Sequence, residues 1–327
     1  MYIEEKIKVP TGDIFLAEDN NKWVEFLSIG DYGKSKNIKA DFLGYTKEIN
    51  GVEHQDTLPL TEKWVITIST QHGCSMKCKF CDVPKVPFKG NVSFSNLISQ
   101  VVMAMDSHPE VKHGRINLHY ARMGEPTFNP NVLWSAYFLA GFLSKRGFEF
   151  HPVVSTMMPK NNPNLENFIR DWMLFKENFL GNAGLQLSIN TTDEKKRNYQ
   201  FSNNCLSLEE ISDLMDRVYF RNKVVPGRKI TLNFALSDNP IDAKLLRKLF
   251  NPEIYLCKIT PMHKTLSSRE NNLKTEDGYN FFYPYKEVED NLKKEGFDVI
   301  VFIPSEEEEK SLITCGNLVL KNRRFYG

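Results

Sequence analysis

Trp64-Val-Ile-Thr-Ile-Ser-Thr-Gln-His-Gly-Cys74-Ser-Met-Lys-Cys78-Lys-Phe-Cys81 joins a strand-like apolar run to three cysteines on one tight loop. The spacing is C-x3-C-x2-C, with an aromatic residue just before the last thiol. Three soft ligands are the informative number. A structural zinc site closes with four ligands. An iron–sulfur cubane held wholly by protein also takes four thiolates. Three thiolates leave one iron open to a small molecule. The alternative is a zinc knuckle, or a chance grouping of buried thiols.

Downstream of Trp64 the pattern is strand then helix, repeated. Strands are expected at Trp64–Thr70, Arg115–Tyr120, Glu149–Ser155, Leu185–Ile189, Lys229–Ala235 and Ile254–Ile259. Helices are expected at Phe94–Met105, Val132–Lys145, Leu165–Asn178, Ser207 to about Tyr219, and Ala243–Phe250. Tyr285–Glu295 and Asp298–Ile303 add a last helix and strand. Ser93 or Ser95 can cap the first helix, and Ser207-Leu-Glu-Glu210 has capping-box spacing. Successive β/α units imply a parallel sheet with right-handed crossovers. The fold class is therefore α/β, an open, partial (β/α)6 barrel. Its functional loops follow the strand C-termini, where the cysteine loop lies. Upstream, Ile14–Ala17 and Trp23–Ile29 read as strands separated by turn residues, a small antiparallel β element. The expected division is 1–63 β element, 64–305 barrel, and 306–327 tail.

Other candidate residues recur at the strand ends. Met123-Gly124-Glu125-Pro126 follows the second strand, and its glycine permits close backbone approach. Ser155-Thr156, Ser188-Ile189-Asn190 and Thr260-Pro-Met-His263 follow later strands. Short polar groups at successive strand ends suit a bound nucleoside, although each alone reads as a local turn or cap. Cys315, in Leu312-Ile-Thr-Cys315-Gly-Asn-Leu318, lies beyond the last strand. A lone cysteine is usually an inert buried residue, but its neighbours Ser311 and Gly316 suggest a loop.

The cysteine spacing is the signature of the radical S-adenosylmethionine (SAM) superfamily. Several segments resemble the RlmN/Cfr family of radical SAM methyltransferases that act on an adenosine in RNA. They are Val24–Ile29, Gln71–Cys81, Met123–Pro126, Val154–Thr156, Leu185–Asn190, Ile230–Leu232 and Thr314–Leu318, in family order. The resemblance implies a [4Fe-4S] cluster on Cys74, Cys78 and Cys81. It implies SAM bound by Gly124, Glu125, Ser155, Thr156, Ser188, Ile189, Asn190 and His263. It makes Cys315 the thiol that one SAM methylates. A second SAM gives the 5′-deoxyadenosyl radical that activates that methyl group. Glu25 matches a family proton acceptor, although on its strand it also reads as an outward-facing residue. A reductant such as flavodoxin or ferredoxin follows as partner, with a nucleic acid or nucleotide as substrate. An aromatic C–H carbon is a poor nucleophile, so polar methyl transfer fails there, whereas a carbon radical adds to the ring.

Three departures from the family stand in the sequence. The family's second catalytic cysteine, seven residues before the first cluster thiol, is Thr67 here. The residues before the cluster read as strands, whereas the family has an N-terminal helical RNA-binding region. His263 stands where the family usually has asparagine, and it can still donate a hydrogen bond. Two further readings stay open: direct hydrogen abstraction from a small nucleotide or peptide, and a non-catalytic iron–sulfur protein.

Composition sets the remaining bounds. The chain has 327 residues, 41% hydrophobic and 25% charged, which is enough for a sizeable core. No apolar run approaches the ~20 residues of a membrane span. The N-terminus is charged and lacks an apolar signal core. Six cysteines with three in one motif point to a reducing compartment, and the expected location is the cytoplasm. Net charge is +1, so nothing global calls for nucleic acid. Local basic groups at Lys77, Lys79, Lys85 and Lys89, at Lys195–Arg197 and at Lys321–Arg324 can meet phosphates or simply be solvated. The acidic run Glu306–Glu309 reads as a solvated loop.

Overall fold

A computed structural model describes residues 1–9, 11–30, 48–49, 52–53, 60–179, 181–221, 227–275, 285–302, 311–313 and 318–321. Ten strands form one sheet whose spatial order follows the chain. They are β1 (Tyr2–Val9), β2 (Gly12–Glu18), β3 (Trp23–Ile29), β4 (Trp64–Ile68), β5 (Gly114–Tyr120), β6 (Phe148–Thr156), β7 (Gly184–Ser188), β8 (Ile230–Leu236), β9 (Tyr255–Pro261) and β10 (Asp298–Val301). β1 to β4 pair antiparallel. β4 to β10 pair parallel. This is the expected partial barrel, extended at its first edge by an antiparallel meander. A two-residue hairpin, Glu48–Ile49 with Val52–Glu53, lies apart from it.

The main crossover helices are α1 (Phe94–Asp106), α2 (Asn131–Ser144), α3 (Leu165–Asn178), α5 (Leu208–Arg221), α6 (Ala243–Leu249) and α8 (Tyr285–Lys294). Ser93 caps α1 by accepting from the Asn96 N–H. The Ser207/Glu210 box closes reciprocally at the start of α5. Two short helices within the barrel were not expected: α4 (Glu194–Gln200) and α7 (Leu266–Glu270). Neither carries an apolar stripe. α4 is started by Asp193, which accepts from the Lys195 and Lys196 N–H groups, and α7 by Thr265.

Strand alternation sorts the two faces of the sheet. Ile116, Leu118 and Tyr120 of β5 join a buried core with Leu97, Val101 and Leu139 of the covering helices. Arg115, Asn117 and His119 take the opposite face. Each fully buried large side chain contributes roughly 1.5–3 kcal/mol. Trp172, wholly buried, also donates its indole N–H to the Gly184 carbonyl at 3.0 Å, which meets the needs of its polar atom.

The first edge breaks the simple pattern. β2 and β3 are buried on both faces. Phe15, Val24 and Phe26 face the main core. On the other side Ile14 and Leu27 pack with Ile313 and Leu318, while Leu16 packs with Val319. The C-terminal residues, including α9 (Leu318–Lys321), therefore cover this face. Glu25, expected as a possible outward-facing residue, is completely buried. Cys315 and Glu306–Glu309 lie outside the described residues.

Candidate functional site

The cysteine loop leaves the C-terminal end of β4, as its position in the sequence required. Two hydrogen bonds fix its root: the Thr70 and Gln71 N–H groups both donate to the Met123 carbonyl, at 2.7 and 3.1 Å. Helix α1 adds Gln100, whose side chain accepts from the Ser69 N–H and donates to the Ser69 carbonyl. The loop's far side is strapped to α7. Asp82 accepts from the Leu266 and Ser267 N–H groups, and Thr265 donates to the Phe80 carbonyl. Asn271 Nδ2 donates to the Lys79 carbonyl.

Three of the four lysines around the loop serve this packing, while Lys77 is exposed. Lys79 lies over the Tyr199 ring, Lys85 pairs with Glu270, and Lys89 donates to the Asn21 carbonyl. Arg197, read as part of a surface basic group, is instead completely buried. It bonds to the Leu206 carbonyl and to Cys205 Sγ.

Cys74, Cys78 and Cys81 are all partly exposed. Their surroundings are apolar: Met76, Met157 and Phe201 on one side, and Leu16, Val83 and Met123 on the other. Burial pushes the Cys74 thiol up to about 12 and the Cys78 thiol well above its ordinary range. Neutral thiols in an apolar pocket become thiolates when a metal centre takes them. Among the described residues no three His, Cys, Asp or Glu side chains converge on a single ion. A polynuclear cluster does not ask for such convergence, because each thiolate binds a different iron. The donor set fits an iron–sulfur cluster with one iron left to another ligand.

Gln71 joins this loop to the next strand end. Its Oε1 accepts from the Ser75 N–H, the Ser75 hydroxyl and the Glu125 N–H, each at 3.1 Å. Gly124 has φ +99°, and a Cβ there would lie 2.5 Å from Gln71 Cβ. Only glycine lets the two segments approach so closely. Glu125 is 4% exposed. Its Oε1 accepts from the Thr127 N–H and hydroxyl, and its Oε2 accepts from the Met157 N–H. Burial raises its pKa, while hydrogen bonds from Thr156, Met157 and Thr127 oppose the rise. A carboxylate so placed favours a cationic ligand.

The later strand ends surround the same region. Ser155 Oγ accepts from Gln186 at 3.3 Å, and Thr156 Oγ1 accepts from the Met158 N–H at 3.0 Å. The Ile189 side chain is buried in the core, so only its backbone can meet a ligand. Asn190 has φ +64°. Its side chain bridges the Ala235 N–H and Gln200. His263 begins the turn into α7, its carbonyl accepting from the Thr265 N–H. Thr67 sits on the face of β4 opposite the helices, level with Leu27 of β3 and His119 of β5.

Gln71, Asn129, Asp82 and Arg122 were not foreseen. Asn129 is fully buried and donates to the Thr70 and Val92 carbonyls. These residues act across long sequence separations, and no local pattern marks them.

Sequence comparison finds RlmN proteins. The chain is 36% identical over 76 residues to a dual-specificity RNA methyltransferase RlmN of Helicobacter hepaticus, covering 23% of this chain and 21% of that protein. It is 35% identical over 162 residues to the one of Buchnera aphidicola subsp. Schizaphis graminum, covering 41% of this chain and 44% of that protein. A probable RlmN of Dictyoglomus turgidum is 26% identical over 295 residues, covering 85% and 77% of the two chains. The chain thus spans less than half the length of the first two relatives. No protein-family model matches it. A radical SAM methyltransferase from Sphaerobacter thermophilus superposes with a TM-score of 0.66 at 16% identity, covering 94% of this chain and 78% of that one. The chain is similar in sequence to RlmN proteins, and it shares its fold with the Sphaerobacter thermophilus structure.

Proposed function

We propose that this protein is a radical SAM enzyme that carries a methyl-derived carbon through Cys315 to an adenine base of RNA. Its metal centre would be a [4Fe-4S] cluster on Cys74, Cys78 and Cys81. One observation carries the reading. The thiol loop and Glu125 are bound into a single unit by the Gln71 carboxamide and the Met123 carbonyl. Cys74, Cys78 and Cys81 would hold the cluster, with the Glu125 carboxylate fixed at the adjoining strand end. Glu125 would hold the ammonium group of the SAM methionine. Ser155, Thr156, Ser188 and Asn190, with the Ile189 backbone and His263, line the arc on which the rest of the nucleoside would lie. When bound, the cluster and SAM supply the electron transfer and radical chemistry. The chain would orient the cosubstrate, exclude water with the apolar side chains of Met76, Met157, Phe201 and Met123 around the thiols, and carry the methyl group on Cys315. RNA as substrate rests on the relatives' names. A small reductant, a flavodoxin or ferredoxin, and a cytoplasmic location complete the proposal. Among the described residues no helix is long and apolar enough to cross a membrane.

Thr67 cannot form the disulfide through which the family releases its product, so release here would use another group. The test is anaerobic reconstitution with iron and sulfide, then SAM and dithionite. We expect 5′-deoxyadenosine, S-adenosylhomocysteine and a methylated Cys315 together. Label from the SAM methyl group should then enter RNA. A mononuclear tetrathiolate metal, or a cluster that does not cleave SAM, overturns the proposal.

A further inference from the structure

We infer that Glu25 and Arg122 are positioning residues, a buried ion pair that closes the chain on either side of Cys315. Arg122 Nε lies 2.7 Å from Glu25 Oε1. The two other guanidinium nitrogens donate to the carbonyls of Ile313 and Leu312, at 3.1 and 2.8 Å. Glu25 Oε2 accepts from the Leu318 N–H at 2.7 Å. Both flanks of residues 314–317 therefore end on the same ion pair. The carboxylate is completely buried, and the guanidinium side chain is only 5% exposed. Apolar contacts seat the same flanks, with Ile313 and Leu318 against Val9, Ile14 and Leu27, and Val319 against Leu16 and Met123.

The chemistry of the pair suits holding better than proton transfer. A planar guanidinium can address a carboxylate and two carbonyls at once, which a lysine cannot. Glu25 pairs with the guanidinium on one oxygen and accepts the Leu318 N–H on the other, and being completely buried it ties the C-terminal residues to the sheet. Glu25 thus acts through the chain it anchors. Arg122 stands three residues before Glu125, so the anchor and the carboxylate of the site share one strand-end turn. The inference deepens the proposed function, since the positioned residue is the thiol that would carry the methyl group.

The test uses full-length, anaerobically prepared protein without SAM or reductant. Iodoacetamide alkylation of Cys315 is followed on the tryptic peptide 311–321, which Lys310 and Lys321 delimit. Glu25→Gln and Arg122→Met should each speed alkylation about tenfold or more, the effect of losing a charged hydrogen bond from a closed segment. The double variant should be no faster than the faster single, because either loss opens the same clamp. Arg122→Lys should also speed it, because charge remains but the fork is lost. The buried Cys205 and Cys257 report whether a variant has simply unfolded. If Arg122→Met exposes them, the comparison is read on Arg122→Lys with Cys257 still protected. Rates within twofold of the unmodified protein overturn the inference. So does a Glu25→Gln protein that loses turnover while its Cys315 stays as protected as before. Because alkylation needs no SAM, a protein that never methylates Cys315 would defeat the proposed function and leave the clamp measurable.

Discussion

Gly124→Ala tests the join between the thiol loop and Glu125, and Gly90→Ala provides its control. The two glycines have nearly the same backbone, φ +99° and φ +100°. Placing an alanine in that region costs about 1–2 kcal/mol at either position. Their surroundings differ. A Cβ at Gly90 meets nothing within 4 Å. A Cβ at Gly124 would lie 2.5, 2.6 and 2.7 Å from Gln71 Cβ, Cγ and N. One side must move by about 1 Å to restore ordinary contact. Gln71 has little room to retreat. Its carboxamide accepts from Ser75 and Glu125 and donates to Asn91, and its N–H is held by the Met123 carbonyl. Overpacking of this kind costs roughly 1–3 kcal/mol. Each buried hydrogen bond broken by the shift adds about 1–3 kcal/mol. Gly124→Ala should therefore cost ~2–6 kcal/mol more than Gly90→Ala. For a chain of this size that is roughly 3–9 °C in thermal midpoint. Because Gln71 also positions Ser75, beside Cys74, the variant should bind less iron and sulfide after anaerobic reconstitution. Calorimetry and iron analysis on both variants decide the matter. If Gly124→Ala unfolds at the temperature of Gly90→Ala and loads as much iron, the two segments are not rigidly joined.

Cys78→Ala should abolish the visible absorbance and iron content of reconstituted protein while leaving its far-ultraviolet circular dichroism unchanged, because the main core does not depend on that thiol; full iron loading would remove Cys78 from the ligand set. Asn129→Ala should lower stability by ~1–3 kcal/mol in urea, since it removes three hydrogen bonds, to the Thr70 and Val92 carbonyls and from the Asn131 N–H, while the Thr70 carbonyl keeps the Val92 N–H and the Val92 carbonyl keeps Asn131 Nδ2. Burial and then Arg228 lower the Lys176 pKa from 10.5 to about 8. Between those values the unfolded chain binds the proton and the folded chain has released it, so native stability rises with pH across that window. Lys176→Met removes the cost of the buried cation and should gain ~1 kcal/mol at pH 7, a gain that fades towards pH 10. Urea midpoints at both pH values check it, and a gain that does not change with pH would refute the assignment.

What was legible in the sequence follows physical period. The barrel strands alternate cleanly, as in Ile116, Leu118 and Tyr120 against Asn117 and His119, and the longer helices carry apolar stripes. Those elements could be placed to within a residue or two. α4 and α7 could not, because Glu194-Lys-Lys-Arg-Asn-Tyr-Gln200 and Leu266-Ser-Ser-Arg-Glu270 have no apolar face. Their ends are set by Asp193, Thr265 and Asp82. β1 was equally hidden, since most of its residues are exposed and its partner β2 supplies the register.

The site divides in the same way. Residues that would touch metal or cosubstrate stand in short local motifs, because a cluster or a nucleoside phosphate-sized ligand is gripped by consecutive residues of a loop. Residues that hold those motifs in place come from elsewhere. Gln71 reaches Glu125 across 54 positions, and Glu25 reaches Leu318 across 293. Their geometry depends on the order of strands in the sheet, which periodicity does not specify. Glu25 shows the consequence most plainly. Read along β3, it sits at an alternate position whose face could have been solvent. The C-terminal residues make that face an interior, and Arg122 makes a carboxylate tolerable there. What looked like a choice between an exposed residue and a proton acceptor becomes a choice between a base and a clamp. The Leu318 N–H on Glu25 and the Leu312 and Ile313 carbonyls on Arg122 favour the clamp.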